Sequence, residues 1–323
     1  MKAPIFWQSQ NITANILRPL GFLYNLGGIL RRIISKPYKA PVPVICVGNL
    51  TVGGVGKTPV CIALSELLSK GISNIFFLTR GYKGKLKNIS VSTTAHNADT
   101  VGDEAVLLSR YAPTIVNQNR ALGAKFAVDN GAKLLIMDDG FQNPHLYKDF
   151  SFVVIDGSQG FGNGFVLPAG ALRESISIGL KRANAVIIIG EDKHNLSKMI
   201  KKFNLPIIHA RMILNKSAIN NLIASKVIAF AGIGIPQKFF DSLKNSKLEL
   251  KETIAFPDHH KYSENELEKL VSKAKSIGAA LVTTEKDYVK IPNAFKPNII
   301  PIPVKILWED EHQVFEILSK IIK

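Results

Sequence analysis

Short apolar runs rich in β-branched residues alternate along the chain with segments whose apolar residues recur at helical spacing. The runs lie at 44–47, 74–79, 114–116, 134–137, 150–156 and 185–190. Each has a length suited to a buried strand, and residues 59–68 and 121–130 between them have the period of amphipathic helices. Buried strands separated by helices predict a doubly wound, mostly parallel α/β sheet.

The alternation restarts near residue 206 and predicts a second, smaller α/β unit. Its strand-like segments are 206–213, 227–231, 279–284 and 299–304. We therefore predict a larger domain at 37–205 and a smaller α/β domain at 206–323. The first and last of these segments are the expected two-stranded link between them.

Residues 12–34 combine a broad apolar stripe with a basic polar side that includes Arg18, Arg31 and Arg32. A helix of this kind suits the interfacial plane of a bilayer or a groove for acyl chains, and an ordinary helix packed on the domain is the alternative. No apolar run reaches the ~20 residues of a membrane-spanning helix. Residues 1–10 also lack the charged and apolar regions of a signal peptide. We predict that residues 1–36 form an amphipathic segment associated with membrane or lipid.

Composition adds a charge argument to this picture. The formal net charge is +16, which favours an anionic partner such as phosphate, nucleic acid or an acidic membrane surface. The hydrophobic fraction of 46% excludes a disordered chain, because it supplies a large core. Cys46 and Cys61 both lie in predicted core segments, so we expect no disulfide framework and a reducing compartment.

A strand, a glycine-rich turn and a helix follow one another from Val44 to Leu68. The turn and the first helical residues are Thr51, Val52, Gly53, Gly54, Val55, Gly56, Lys57 and Thr58. Glycines let backbone N–H groups close around phosphate oxygens, while Lys57 adds charge and Thr58 offers its hydroxyl to Mg²⁺. This order of elements predicts a P-loop for a nucleoside triphosphate. Because Thr51 replaces the first glycine of the pattern, a glycine-rich connection without ligand is the alternative.

A second signal lies downstream of the P-loop. The apolar run 134–137 ends in Asp138 and Asp139 and is followed by Gly-Phe-Gln. An apolar strand that ends in Asp is typical of a Walker B strand, whose carboxylate meets Mg²⁺ directly or through water. Ligands of such sheets sit outside the carboxyl ends of the strands. The P-loop, Arg80 and residues 138–142 are therefore predicted to surround one cleft.

Phosphoryl transfer to a hydroxyl needs a base, cations on the phosphate and a metal. Asp103 and His259 are the best base candidates, because a histidine partner can orient a carboxylate and tune its pKa. Structural alternatives stay open at this point. Asp103 and Glu104 also fit the first turn of a helix, His259 also fits a loop, and Arg173 with Glu174 also fits a surface ion pair.

Several motifs together resemble a known family. The chain contains, in this order, GNLTVGGVGKTP, RGY, GDE, DDGFQ, PAGALRE, the DH of PDHH and TTEKDYVK. This ordered set is similar to the tetraacyldisaccharide 4'-kinases of lipid A biosynthesis, whose own P-loop lacks the first glycine. The resemblance implies a P-loop NTPase-type fold with a second α/β domain. It also implies transfer of the γ-phosphate of ATP to the 4'-hydroxyl of an acylated glucosamine disaccharide 1-phosphate.

The resemblance also implies roles for individual residues. Asp103 matches the base, His259 its helper, and Lys57 the group that grips the γ-phosphate. The expected Mg²⁺ neighbourhood is Thr58, Glu104, Asp138 and Asp139. The residues expected to face the disaccharide phosphate or headgroup are Arg80, Gln142 and Arg173.

Two positions depart from the family pattern. DDGFQ is usually followed by His and here by Asn143, which puts any role of that histidine in doubt. Ser175 replaces a proline after Arg173-Glu174 and is expected to alter only a loop. The resemblance further implies ATP and Mg²⁺ as cofactors and a peripheral location on the cytoplasmic face of the bacterial inner membrane. We expect a monomer without a nucleic-acid partner.

Two other functions compete with the kinase. One is a P-loop GTPase or metal-insertion chaperone, but the guanine signature N-K-x-D is broken at Asn215-Lys216-Ser217-Ala218. The other is a basic, nucleotide-dependent nucleic-acid-binding protein, for which no aromatic RNP motif, zinc spacing or helix-turn-helix is recognisable.

Overall fold

The computed structural model describes residues 4–92, 94–319 and 321, and the described chain forms two β-sheets. The strands are β1 (Val44–Gly48), β2 (Ile75–Thr79), β3 (Ile89–Ser90), β4 (Thr114–Val116), β5 (Leu134–Asp138), β6 (Phe150–Asp156), β7 (Ala185–Ile189), β8 (Ile207–Leu214), β9 (Lys226–Ala231), β10 (Glu249–Ala255), β11 (Ala279–Thr284), β12 (Ile300–Ile302) and β13 (Val304–Trp308). The helices are α1 (Ile12–Ile34), α2 (Lys57–Leu68), α3 (Ala98–Val101), α4 (Asp103–Leu108), α5 (Arg120–Asp129), α6 (Ile176–Leu180), α7 (Leu196–Lys201), α8 (Lys216–Asn220), α9 (Pro236–Asn245), α10 (Glu264–Ser276), α11 (Glu285–Tyr288) and α12 (Glu311–Ser319). Single 3-10 turns lie at Ile5–Trp7 and Lys296–Asn298.

The larger sheet has nine strands in the order β13-β8-β7-β6-β1-β5-β2-β4-β3. The seven strands from β8 to β4 are parallel, and only the edge pairs β13–β8 and β3–β4 are antiparallel. The order changes direction around β1, which lies between β5 and β6. The crevice in which such sheets bind ligands therefore lies at the carboxyl end of β1. The predicted mostly parallel α/β sheet is confirmed.

Burial on both faces explains why the central strands are continuously apolar. Along β1, Val44 and Cys46 belong to one hydrophobic core, and Ile45 and Val47 to the core on the opposite face. Successive side chains of a strand point to opposite faces, so each position needs an apolar residue. Cys46 is a buried free thiol, as is Cys61.

The smaller sheet has four parallel strands in the order β10-β9-β11-β12. Its two faces pack against α9 and α10, whose apolar sides include Phe240 and Leu267. β9 leads into a loop that begins at Gly232, and β11 ends at Thr284, the N-cap of α11. Helix α11 packs against α4, so the carboxyl edge of this sheet faces the larger unit.

The two segments predicted to link the units lie in different sheets. Segment 206–213 forms most of β8 in the larger sheet, whereas 299–304 contains β12 of the smaller sheet and only the first residue of β13. β8 pairs with β7 in parallel, and β13 pairs with β8 in antiparallel. On α12, Val314 and Leu318 are fully buried in the same core as Ile45. Parts of the 206–323 segment thus belong to the larger sheet and its core, and the division of the chain into domains stays a prediction.

Helix α1 lies on the surface with little of itself buried. Only Ala14 and Gly21 are buried, although the helix has 23 residues. Leu23 is 60% exposed and Ile33 is 74% exposed, so the apolar stripe faces away from the domain. None of the helices in the described part of the chain combines the length and the apolarity needed to cross a bilayer.

An ion pair joins the two sheets at the end of β6. Lys238 on α9 donates to the buried carboxylate of Asp156 and, at 2.9 Å, to Ser158 Oγ. Burial would raise the pKa of Asp156, but the hydrogen bonds from Lys238 and Ser158 outweigh it and lower that pKa.

We expect Lys238→Gln to lower the free energy of unfolding by about 1 kcal/mol at pH 7. Because the pKa of Asp156 is depressed in the folded state, this contribution is fully present above the unfolded pKa of about 3.9 and is lost as the pH falls from there through the lower folded pKa. Denaturant unfolding of both proteins over a series of pH values downward from neutral measures the difference. Lys244→Gln on the exposed side of α9 is the control, and an equal loss in that variant would contradict the role of the pair.

Candidate active site

The P-loop connects β1 to α2 and curves over the carboxyl end of β1. Gly53 and Gly56 have φ of 121° and 89°, values that side chains disfavour. Gly56 caps α2 and leaves the first N–H groups of the helix open to the loop. Thr51 forms an antiparallel bridge with Leu172, an extended conformation that any residue adopts. The missing first glycine is therefore no obstacle to this loop.

Lys57, the first residue of α2, is held over the loop by two oxygen atoms. Its Nζ lies 3.3 Å from Asn49 Oδ1 and 3.7 Å from Asp139 Oδ1. Asn49 is fully buried and donates its Nδ2 to the carbonyl oxygen of Thr51 at 2.7 Å. Asn49 therefore fixes both the loop and its lysine, a role that the sequence reasoning missed.

Thr58 and Asp138 connect the P-loop to β5. The Thr58 hydroxyl donates to Asp138 Oδ2 at 2.8 Å. Burial raises the pKa of Asp138 to about 6, against the opposing charge of Lys57. Its second oxygen, Oδ1, is buried without a hydrogen-bond partner. An unpaired buried carboxylate oxygen is costly unless a cation completes it.

Asp139 turns out of the strand toward two cations. Its φ of 51° is unusual for a non-glycine residue and turns the chain at the end of β5. Arg173 donates to it through both terminal nitrogens, at 2.7 and 3.2 Å. Burial would raise the pKa of Asp139, but Lys57 and Arg173 lower it. Asp139 is therefore a carboxylate shared by the P-loop lysine and an arginine.

Glu174 is buried, which makes the surface-pair interpretation of Arg173 and Glu174 wrong. Only 2% of Glu174 is exposed, and its oxygens accept from Arg182, Arg32 and Gln142. Gln142 also donates to the carbonyl oxygen of Asn49 at 2.9 Å. Glu174 therefore ties helix α1, through Arg32, to the loop that follows Asp139.

The smaller sheet brings His259 to Asp103. His259 Nδ1 lies 2.7 Å from Asp103 Oδ2, although the residues are 156 positions apart. Asp103 is 4% exposed at the start of α4, and His259 has a φ of 59° in the loop after β10. Burial would raise the pKa of Asp103, but the hydrogen bond with His259 and the charge of Lys286 lower it to about 2. The predicted pairing of Asp103 with His259 is present in the geometry.

Lys286 completes this contact between the two sheets. Its Nζ lies 2.9 Å from Glu104 Oε1 and 3.4 Å from His259 Nε2. An ammonium group only donates, so Nε2 is the acceptor and the neutral ring carries its proton on Nδ1, toward Asp103. Burial would lower the pKa of Lys286, but Glu104 and Asp103 raise it. Lys286 lies in the TTEKDYVK motif, so the motif could have identified it as a candidate site residue.

The glycine-rich loop after β9 closes the crevice from the far side. A Cβ atom placed on Gly234 would lie 3.7 Å from the backbone nitrogen of Gly54 in the P-loop. The charge of Glu104 also contributes to raising the pKa of Asp138. The P-loop, the end of β5 and the Asp103–His259 pair therefore surround one site.

Two remaining positions lie at the edge of this site. Arg80 is exposed after β2, and no ion pair joins it to another described residue. Asn143 accepts from the backbone nitrogen of His145 at 3.0 Å through Oδ1, which shapes the loop after Gln142. Arg80 thus has no ion-pair partner in the described part of the chain, and Asn143 has a loop-forming contact.

Comparisons with known proteins agree with this geometry. The sequence model of the family "Tetraacyldisaccharide-1-P 4'-kinase" (LpxK) matches residues 13–323. The tetraacyldisaccharide 4'-kinase of Parvibaculum lavamentivorans is 46% identical over 303 residues, which is 91% of this chain and 88% of that protein. The enzyme of the same name from Paramagnetospirillum magneticum is 43% identical over 96% of this chain and 95% of its own length.

A solved structure has the same fold over nearly the whole chain. It is LpxK from Aquifex aeolicus in complex with ATP, with a TM-score of 0.78 and 27% sequence identity. The similarity covers 97% of this chain and 100% of that one. Together with the sequence matches, this shows that the chain belongs to the tetraacyldisaccharide-1-P 4'-kinase family.

Proposed function

We propose that this protein transfers the γ-phosphate of ATP to the 4'-hydroxyl of tetraacyldisaccharide 1-phosphate. The observation that carries the proposal is the meeting of Asp103 and His259, from opposite sheets, at a crevice that also contains the P-loop. The family and the names of the relatives support the same reaction. A P-loop alone would support only nucleotide binding.

The proposed roles follow from the contacts of each side chain. Asp103 accepts the proton of the attacking hydroxyl, with one oxygen fixed by His259. Lys57 and the open N–H groups of α2 stabilise the charge on the transferred phosphoryl group. Lys286 acts as a positioning residue, because it holds His259 and Glu104 together.

The residues present fit a bound Mg²⁺. Asp138 Oδ1 and Glu104 Oε2 are both buried oxygens without hydrogen-bond partners. Mg²⁺ prefers hard oxygen ligands of this kind. The hydroxyl of Thr58 and the carboxylate of Asp139 are further candidate ligands. The ion would neutralise charge on the phosphates of the nucleotide.

Substrate recognition is assigned to the side of the crevice near α1. Arg173 and Gln142 are linked by a contact of 3.4 Å, and Arg80 is exposed directly after β2. Guanidinium groups suit phosphate recognition because their N–H groups bind its oxygens in pairs. These three residues are proposed to hold the disaccharide headgroup.

Helix α1 is proposed to place the protein on the cytoplasmic face of the inner membrane. Its exposed apolar stripe and the net charge of +16 suit a surface of acylated, anionic lipids. The proposal includes a monomeric, peripheral protein without a nucleic-acid partner.

We expect Leu23→Asp on α1 to weaken binding to phospholipid vesicles about tenfold or more, because burying a leucine contributes about 1.5–3 kcal/mol. Vesicle sedimentation measures this partitioning. Ile223→Asp is the control, since Ile223 is 59% exposed on the smaller unit and Leu23 is 60% exposed on α1. Equal binding of both variants would contradict the role of α1.

The function is tested by incubation of the protein with radiolabelled ATP and the acylated disaccharide 1-phosphate. Label in the lipid product, lost when EDTA removes Mg²⁺, is the expected result. A parallel incubation with GTP tests the GTPase alternative, and binding to DNA or RNA that depends on ATP tests the nucleic-acid alternative. No labelled lipid from active, folded protein would refute the proposal.

A further inference from the structure

A second cavity lies beside Glu174, at the end of α1 and outside the nucleotide crevice. Its volume is about 240 Å³, below the roughly 300–1,000 Å³ of pockets for drug-sized ligands. The lining includes three cationic residues, Arg32, Lys148 and Arg182, and no acidic one. A cavity of this size suits a small anionic group rather than an acyl chain.

Glu174 leaves most of this positive charge uncompensated. It accepts from Arg182 at 2.5 and 2.6 Å, from Arg32 at 3.1 Å and from Gln142 at 3.1 Å. Four contacts fill the two oxygens of one carboxylate. Three cations against one carboxylate leave a local excess of two positive charges.

Arg182 is held in a fixed position, and one of its nitrogen atoms has no hydrogen-bond partner. Its guanidinium stacks over the ring of Phe141 at 4.3 Å from the centroid. Its Nε is buried without a hydrogen-bond partner, although a buried unpaired donor is costly. The position of this guanidinium is therefore set by Glu174 and Phe141, at the wall of the cavity.

Lys148 adds a second donor whose charge lacks a counter-ion. Its Nζ donates to the carbonyl oxygen of Asn143, and no ion pair joins it to a described acid. Burial lowers the pKa of Lys148, and the charges of Arg182 and Arg32 lower it further. An anion in the cavity would supply the counter-ion that the Lys148 ammonium group lacks among the described acids.

The position of the cavity indicates where such an anion comes from. Arg32 and Ser35, at the end of α1, line the cavity, and Ile33 and Ile34 between them are 74% and 79% exposed. Apolar side chains that enter a lipid layer bring the adjacent cavity to the depth of the headgroups.

We infer that this cavity binds a phosphate group carried by a membrane lipid, held by Arg182, Lys148 and Arg32. The phosphate belongs either to an anionic phospholipid of the bilayer or to the acylated disaccharide itself, at its position 1. The second source rests on the proposed function, and the first does not.

The test compares Lys148→Gln with the wild-type chain in two arms. In the first, sedimentation measures binding to phosphatidylcholine vesicles with and without phosphatidylglycerol. In the second, the KM is measured in neutral detergent for the disaccharide 1-phosphate and for the same disaccharide without its phosphate. Lys36→Gln is the matched control, because it removes the same charge one residue from Ser35 without lining the cavity.

We expect Lys148→Gln to lose about tenfold or more in at least one arm, against about fivefold or less for Lys36→Gln. Loss of the phosphatidylglycerol-dependent binding identifies a phospholipid, and a raised KM confined to the phosphorylated disaccharide identifies the substrate. Lys148→Arg is expected to restore either effect, which separates lost charge from misfolding. Lys148→Gln that matches Lys36→Gln in both arms would overturn the inference. Absence of transfer by the wild-type chain would instead refute the proposed function. The vesicle arm would still test whether the cavity binds a phospholipid.

Discussion

Asp103→Asn is expected to lower kcat about a thousandfold while the affinity for ATP changes less than about twofold. The amide has the shape of the carboxylate but cannot take the proton of the attacking hydroxyl. Asp103 touches neither the P-loop glycines nor Lys57 through any hydrogen bond of the described residues, so nucleotide binding should persist. Single-turnover kinetics with saturating ATP measure the step, and equilibrium binding of a fluorescent ATP analogue measures affinity.

Glu104→Gln provides the neighbouring control for this prediction. Its carboxylate faces Lys286 at 2.9 Å and has a buried oxygen suited to Mg²⁺. We therefore expect this variant to need a higher Mg²⁺ concentration, with much of kcat restored at saturation. Turnover close to wild type in Asp103→Asn would remove Asp103 from the mechanism.

Lys57→Met is expected to lower kcat/KM by about a thousandfold, which corresponds to about 4 kcal/mol of transition-state stabilisation. Lys57 lies at the start of α2 between Asn49 and Asp139, and only 11% of its side chain is exposed. A desolvated ammonium at this position interacts strongly with charge that develops on the transferred phosphoryl group. Initial rates over a range of ATP concentrations measure the loss.

Lys70→Met is the matched control for the lysine at the P-loop. Lys70 follows the other end of α2, is 69% exposed and pairs with Glu311 on the surface. This variant should retain the wild-type rate, because a surface ion pair contributes at most about 1 kcal/mol to stability. Similar losses in the two variants would show that positive charge near α2, rather than the position of Lys57 at the loop, determines the rate.

The larger sheet was predictable because its strands are buried on both faces. Continuous apolar runs such as 44–47 and 150–156 are typical of parallel strands that are buried on both faces. Strand β10 (Glu249–Ala255) was missed, since three of its seven residues are charged and only every second residue is partly buried, as at an edge. The sequence also shows that helix α12 is amphipathic. It does not show which sheet the apolar side packs against, because either sheet could cover it.

The candidate site was predictable where one local segment contains the chemistry. The P-loop and the aspartates after β5 each lie within a few residues of a strand end, so topology brings them together. The roles of Glu174 and Lys286 were harder to predict from the sequence, because each role depends on partners far away in the chain. Glu174 pairs with Arg32 at a separation of 142 residues, and spacing alone does not distinguish that from a surface contact.

The division of the Asp103–His259 pair between two sheets makes the proposed proton acceptor depend on the boundary between them. Tyr111 and Glu285 also meet across this boundary, at 3.2 Å. A substitution that shifts one sheet against the other would move the imidazole away from the carboxylate without touching the glycine loop. Catalytic rate and nucleotide affinity would then change independently, through residues remote from the phosphates.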